Sequence, residues 1–149
     1  MYLDSSIIVK LIVREADSDW FSRNLAGRSF ETSELALAEV RSALLAKERA
    51  GHVVSSARIM AEKKFLTMVE GDLICLFPLN RAVLERANAI QLACHPGIPL
   101  RTLDALHVAT CDLHRSEALS TTDGRIRAAC KQFAIALVPA KIEDITTTQ

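Results

Sequence analysis

The chain has 149 residues, of which 18 are basic and 18 acidic, so its formal net charge is zero; half are apolar and 24% charged. That length is one domain with room for a substantial core, and the charge balance excludes a general polyanion binder that relies on overall field. Aromatic residues, at 5%, are too few for a platform that stacks exposed bases.

Residues 1–4 (Met-Tyr-Leu-Asp) read as a short apolar strand ending in an acid. Ser5 and Ser6 are placed to cap a helix carrying Ile7, Ile8, Leu11 and Ile12, with Lys10 and Arg14 on its polar side. A strand that delivers Asp4 to a helix start is the βα turn of an open parallel sheet, where ligands bind beyond the carboxyl ends of the strands. Alone, Asp4 reads better as a helix cap. Residues 17–27 form a second helix with Trp20, Phe21 and Leu25, closing at Gly27, and Ser29–Ser33 is the next strand. Glu34 to Ala50 is a helix with Leu35, Ala38, Ala43, Leu44 and Leu45, ended by Gly51. A mid-helix glutamate such as Glu39 is usually solvated, yet Leu35, Ala38 and Ser42 as neighbours on its face leave room for it to point inward.

Residues 52–56 open another unit, with Ser55 or Ser56 as cap of a helix running to about Glu70. Arg58, Lys63 and Lys64 there, with Arg41, Lys47 and Arg49, give the hairpin six basic residues against Glu48 and Glu62: a solvated face, or a track for a nucleic-acid backbone. Leu73–Phe77 is an apolar run that reads as a buried strand. Asn80 caps a helix over 81–94, with Val83, Leu84, Ala87, Ile90 and Leu92 or Cys94 as its core face, and the breaker-rich 95–99 loop follows. The next helix starts at Thr102 as N-cap and buries Leu103, Leu106, Thr110 and Leu113. Asp104 sits in its first turn, where an acid by itself is commonly just a dipole partner. Ala118–Thr122 is a strand reaching Asp123-Gly124, a helix runs from there to about Lys131, and Ala134–Val138 is a last buried strand. The alternation predicts an α/β fold, a parallel sheet flanked by helices. The domain is placed over 1–140 and a frayed tail over 141–149, fraying from Pro139 onward.

The cysteines (Cys75, Cys94, Cys111, Cys130) form no CxxC pair and read as buried reduced thiols. His107, Cys111 and His114 share one helix but lack a fourth metal ligand at a recognisable spacing. No basic leader precedes Leu3-Asp4 and no apolar run is long enough for a bilayer, so the expectation is a cytoplasmic protein with no membrane partner.

Asp4 and Asp123 end strands, Asp104 begins a helix, and Glu39 lies on a helix with small neighbours; a doubly wound sheet gathers such positions at one edge. Four unpaired carboxylates together would repel and partly protonate, a conflict that a hard cation such as Mg²⁺ or Mn²⁺ removes. Four acids suggest two ions about 3.5–4 Å apart, the arrangement used for in-line phosphodiester displacement. With the four neutralised, the remaining charges balance at +4.

Tyr-Leu-Asp-Ser-Ser at 2–6, Leu-Ala-Glu-Val-Arg-Ser-Ala-Leu at 37–44, Leu-Arg-Thr-Leu-Asp-Ala-Leu-His-Val-Ala-Thr at 100–110 and Ser-Thr-Thr-Asp-Gly-Arg at 120–125 resemble the acidic motifs of PIN-domain ribonucleases, most of all the VapC toxins of toxin–antitoxin pairs. The likeness spans roughly residues 1–140 and is most specific at 100–110. It implies a PIN-like three-layer α/β/α fold and a metal-dependent endoribonuclease in which Asp4 and Asp104 coordinate Mg²⁺ or Mn²⁺, with Glu39 and Asp123 completing the quartet. It also implies supporting roles for Ser6 and Thr121, a homodimer, a VapB-type antitoxin and an RNA substrate. Gly124 stands where many relatives carry a larger, often basic residue, and Arg125 is the candidate to take over its phosphate contact. A haloacid-dehalogenase-type phosphatase would need its general acid where this chain has Ser6, and a receiver domain needs an acidic pair and a late lysine that are not evident. A PIN nuclease of RNA processing, without an antitoxin, is the serious alternative.

Overall fold

A computed structural model describes residues 1–146. In chain order its elements are β1 (Tyr2–Leu3), α1 (Ser5–Ile12), α2 (Ser18–Asn24), β2 (Phe30–Ser33), α3 (Leu35–Arg49), α4 (Ser55–Glu70), β3 (Ile74–Phe77), α5 (Arg81–Cys94), α6 (Thr102–Leu113), β4 (Leu119–Ser120), α7 (Gly124–Gln132), β5 (Leu137–Val138) and α8 (Glu143–Thr146). The strands make one parallel sheet in the order β3-β2-β1-β4-β5. Successive side chains of a strand point to opposite faces, and the core divides accordingly. Leu3, Phe30 and Ile74 pack with Ile7, Ile8, Phe21, Val40, Leu44 and Phe65 of α1–α4 on one face. Tyr2 and Leu119 pack with Val83, Ile90, Leu106, Val108 and Ile126 of α5–α7 on the other. The result is the expected three-layer α/β/α arrangement.

The chain leaves β1 toward β2 and β3, then crosses back to place β4 on the other side of β1. The crevice between β1 and β4 is therefore a topological switch point, where open α/β sheets bind ligands. Asp4 ends β1 and Asp123 follows β4, so both stand at the mouth of that crevice.

Helix starts differ from expectation at α4 and α6. At α1, Asp4 is the N-cap, as its reading in isolation expected and in place of Ser5 or Ser6, its carboxylate accepting the Ser6 N–H. Val54 precedes α4 with no side-chain cap, and the Ser55 hydroxyl instead donates to Glu48. Arg101 occupies the N-cap position of α6 and Thr102 is an exposed first-turn residue. Here the Asp104 carboxylate accepts the Arg101 N–H at 3.3 Å; an arginine side chain has no acceptor with which to reciprocate. Asn80 caps α5 as expected, accepting the Val83 N–H at 3.2 Å.

Burial also departs from simple stripes. Helix α6 is buried continuously from Ala105 to Cys111, because α5, α7 and β2 pack around it, whereas Leu103 and Leu113 are exposed. Leu84 and Leu92 of α5, and Ala38 and Ser42 of α3, are exposed as well. Both β3 and β5 are edge strands rather than buried ones, which leaves Cys75 exposed while the other cysteines are buried. The segment from Pro139 is held down rather than frayed. Buried Arg127 donates to the carbonyls of Thr121 (3.1 Å), Pro139 (2.9 Å) and Ala140 (2.8 Å), and Ile145 packs against the first core. Residues 147–149 of the predicted tail lie outside the described residues.

Candidate active site

A cleft at the switch point is lined by Asp4, Ser5, Ser6, Glu39, Arg101, Asp104, His107, Asp123 and Arg125. All four acids singled out from the sequence thus share one opening, brought there by β1, α3, α6 and the β4–α7 turn. Asp4, 7% exposed, is the most deeply set. Its Oδ2 accepts the hydroxyls of Ser6 (2.8 Å) and Thr121 (2.9 Å). The Thr121 hydroxyl oxygen in turn accepts the Asp123 N–H at 3.0 Å, which ties the two strand ends together. Asp123 caps α7: its Oδ1 accepts the N–H groups of Arg125 (2.8 Å) and Ile126 (3.1 Å). An acid at a helix start is favoured by the free N–H groups there, so Asp4 and Asp123 serve the fold whatever else they do.

Asp104 approaches Asp123 from α6, and Arg125 stands between them, with Nε 3.4 Å from Asp104 Oδ2 and a terminal nitrogen 3.2 Å from Asp123 Oδ2. Burial and the charge of Asp123 raise the Asp104 carboxyl above its usual range, more than the Arg101 N–H and the charges of Arg125 and Arg101 lower it. Arg125 Nε is buried without a hydrogen bond.

Glu39 reaches the cleft from the opposite wall. Its Oε2 lies 2.6 Å from His107 Nε2 and accepts the Ser5 hydroxyl at 2.7 Å. Burial raises the Glu39 carboxyl, but the bond and charge of His107 and the bond from Ser5 outweigh it and hold the group below the usual carboxylate range. Behind His107, the Tyr2 hydroxyl is 2.8 Å from Nδ1.

The expectation of four acids without basic partners is thus corrected: Arg125 serves two of them and His107 a third. Among the described residues, no three acidic, histidine or cysteine side chains form a group that could hold a metal ion. Nor do His107, Cys111 and His114 form one. His107 is turned to Tyr2 and Glu39, Cys111 is buried, and the His114 ring stacks on Phe77 at 3.6 Å. Most of the basic hairpin is spent internally, with Arg41 on Glu62, Arg58 on Glu48 and Glu62, Lys47 on Glu15, and Lys64 on the Leu11 carbonyl. Sequence reasoning missed Tyr2, and it missed His107 as a partner of Glu39. A usable signal was present, since Asp104 and His107 are three residues apart and share a helix face.

An acidic cleft at the switch point of a parallel α/β/α sheet defines a class of hydrolase-like domain whose oxygen donors suit a hard cation. The PIN domain family model matches residues 1–132, and the chain belongs to the PIN-domain family. It is 39% identical over 144 residues to ribonuclease VapC46 of Mycobacterium tuberculosis, covering 93% of this chain and 95% of that protein. It is 31% identical over 144 residues to ribonuclease VapC35 of the same species, with the same coverage. The crystal structure of M. tuberculosis VapC20, described as a Sarcin-Ricin loop cleaving toxin, superposes with a TM-score of 0.66 at 21% identity, over 86% of this chain and 93% of that one. A toxin–antitoxin complex from Klebsiella pneumoniae gives a TM-score of 0.59 at 16% identity, over 85% and 89%.

Proposed function

We propose that the protein is a divalent-metal-dependent endoribonuclease acting as the toxin of a VapBC-type pair. The observation that carries this is the convergence of Asp4, Glu39, Asp104 and Asp123 on one cleft of a PIN-domain chain. The relatives named as VapC ribonucleases, matched over nearly their whole length, support it. The donor set fits Mg²⁺ or Mn²⁺: the oxygens are hard, and four carboxylates line one cleft. Asp4 and Asp104 would hold the metal, with Glu39 and Asp123 completing the set. When bound, such ions supply an activated water and stabilise the oxygens of an in-line phosphodiester displacement.

The chain's own residues do the positioning. Ser6 and Thr121 fix Asp4 by donating to Oδ2, which leaves Oδ1 with only the long 3.4 Å bond from the Ser6 N–H. Arg125, already in the cleft, is placed to take an RNA phosphate. A basic side chain supplied by an antitoxin segment would meet the same carboxylates, blocking RNA and metal together; such a desolvated pair holds only while the carboxylates stay ionised. We also propose a homodimer, in which a second copy covers part of the exposed apolar surface that includes Leu84 and Leu92 of α5. No helix among the described residues is long and apolar enough to cross a membrane, and we place the protein in the cytoplasm.

Purified protein should cleave RNA with Mg²⁺ or Mn²⁺ and stop with EDTA; full cleavage with metal shown to be absent overturns the mechanism. Expression should arrest growth, and the product of the adjacent gene should bind tightly and restore it. If the neighbour neither binds nor rescues while RNA is still cut, the protein is a PIN nuclease of RNA processing instead.

A further inference from the structure

The cleft is backed by a chain of hydrogen bonds through the core. The Ser33 N–H donates to the Tyr2 oxygen at 3.2 Å, the Tyr2 hydroxyl faces His107 Nδ1 at 2.8 Å, and His107 Nε2 faces Glu39 Oε2 at 2.6 Å. It links β2, β1, α6 and α3, and Ser5 of α1 joins at the same Glu39 oxygen. Tyr2 and Ser33 are fully buried and His107 is 2% exposed, so solvent cannot substitute for the partners behind Glu39.

We propose that Tyr2 and His107 are positioning residues for the cleft: the buried phenol fixes the orientation of the imidazole, and its Nε2–H, with the Ser5 hydroxyl, holds one Glu39 oxygen so that the other is presented for metal. This rests on the metal-dependent reading above. The Tyr2 hydroxyl at Nδ1 and Glu39 at Nε2 engage both ring nitrogens, so the buried imidazole cannot turn without losing a partner. An ionised Glu39 can only accept. Two donors converge on Oε2, and Oε1 has no protein partner among the described residues. A glutamate in mid-helix would otherwise sweep solvent through three rotatable bonds. Asp104 and His107 lie three residues apart on α6, so one helix face supplies one acid and aims another. This is the arrangement of outer partners that orient metal ligands.

The test uses the full chain without RNA, with Mn²⁺ as the probe. Nitrogen NMR of the metal-free protein should show a proton on His107 Nε2, and Tyr2→Phe should alter the ring signals. His107→Leu should weaken Mn²⁺ binding, measured by calorimetry, by about tenfold or more. His107→Gln, which keeps a donor in place of Nε2, should recover most of it. In a Glu39→Gln background, His107→Leu should cause no further loss, which a general structural defect would not mimic. If His107→Leu does not fold, the spectra and the Gln and Tyr2→Phe isotherms decide alone. An Nε2 without a proton, additive losses, or unchanged or tighter Mn²⁺ binding overturns the proposal. Tighter binding would make His107 a latch that withholds Glu39. If wild-type protein binds no Mn²⁺, the metal reading itself fails, and the spectra still judge separately whether Nε2 donates to Glu39.

Discussion

Replacing Asp104 by Asn separates the two roles the residue can have, as a helix-start acid and as a site carboxylate. The amide keeps an oxygen for the Arg101 N–H, now 3.3 Å from Oδ2, so that bond, worth about 1 kcal/mol net, survives. The variant loses the 3.4 Å pairing with Arg125, whose side chain is 32% exposed, a contact worth about 0.2–1 kcal/mol. It also loses a favourable charge at the helix start, about 0.3–1 kcal/mol. Against these losses stands relief of a charge that burial and Asp123 both oppose. The opposing contributions are of similar size, so metal-free stability should change by no more than about 1 kcal/mol, or roughly 2–4 °C for a chain of this length.

The sign with pH follows from the raised carboxyl. Folded Asp104 binds its proton more tightly than the unfolded chain does, so its charge destabilises the fold above the folded value. That penalty disappears below the ordinary value of 3.8. The stability of the variant relative to wild type should therefore be greatest at neutral pH and fall as pH drops toward 3.8. Urea titrations of metal-free protein across that range measure it. In the same variant RNA cleavage should fall at least about a hundredfold, equivalent to about 2.7 kcal/mol of transition-state stabilisation. A variant that unfolds, or loses more than about 3 kcal/mol, would show Asp104 to be mainly a helix-start residue. One that keeps full activity would remove it from the site.

Metal binding should itself stabilise the fold: Mn²⁺ at a hundred times its Kd should add about 2.7 kcal/mol, reversed by EDTA, and a melting temperature indifferent to Mn²⁺ would refute a cation site. Arg125→Gln should release Asp104 and Asp123, lowering metal-free stability by at most about 1 kcal/mol while tightening Mn²⁺ binding and raising KM for RNA; weaker Mn²⁺ binding would show that Arg125 helps to build the site. Arg127→Leu should cost about 2–4 kcal/mol, because the carbonyls of Thr121, Pro139 and Ala140 lose their shared donor. Hydrogen exchange across 137–146 should quicken with it, and unchanged exchange there would show that the segment is held by packing alone.

The order of elements is written locally. Apolar residues at periods of 2 and 3.6 mark the strands and helices, and Gly27, Gly51 and the 95–99 breakers punctuate them. Asp4 and Asp123 were legible for the same reason, since a strand running directly into a helix start places its last acid at the carboxyl edge of a parallel sheet. Which short polar residue caps a helix was less so, because Asp4, Ser5 and Ser6 are all competent at that turn.

Periodicity assigns a residue to a face of its helix but says nothing about what that face meets. Leu84 and Leu92 fit an apolar stripe and are exposed, and the whole of α6 from Ala105 to Cys111 is enclosed because neighbours pack around it. Glu39 and His107, 68 positions apart, carry no mark of each other in the sequence, nor does Tyr2 carry one of His107. The sequence alone thus determined the alternating α/β order and the acids available at strand ends and helix starts, since these depend on near neighbours. The partner of each acid was decided only by strand order and helix packing. Hydrogen bonds and ion pairs act over a few ångströms, and only the folded chain brings residues so far apart in sequence within that reach.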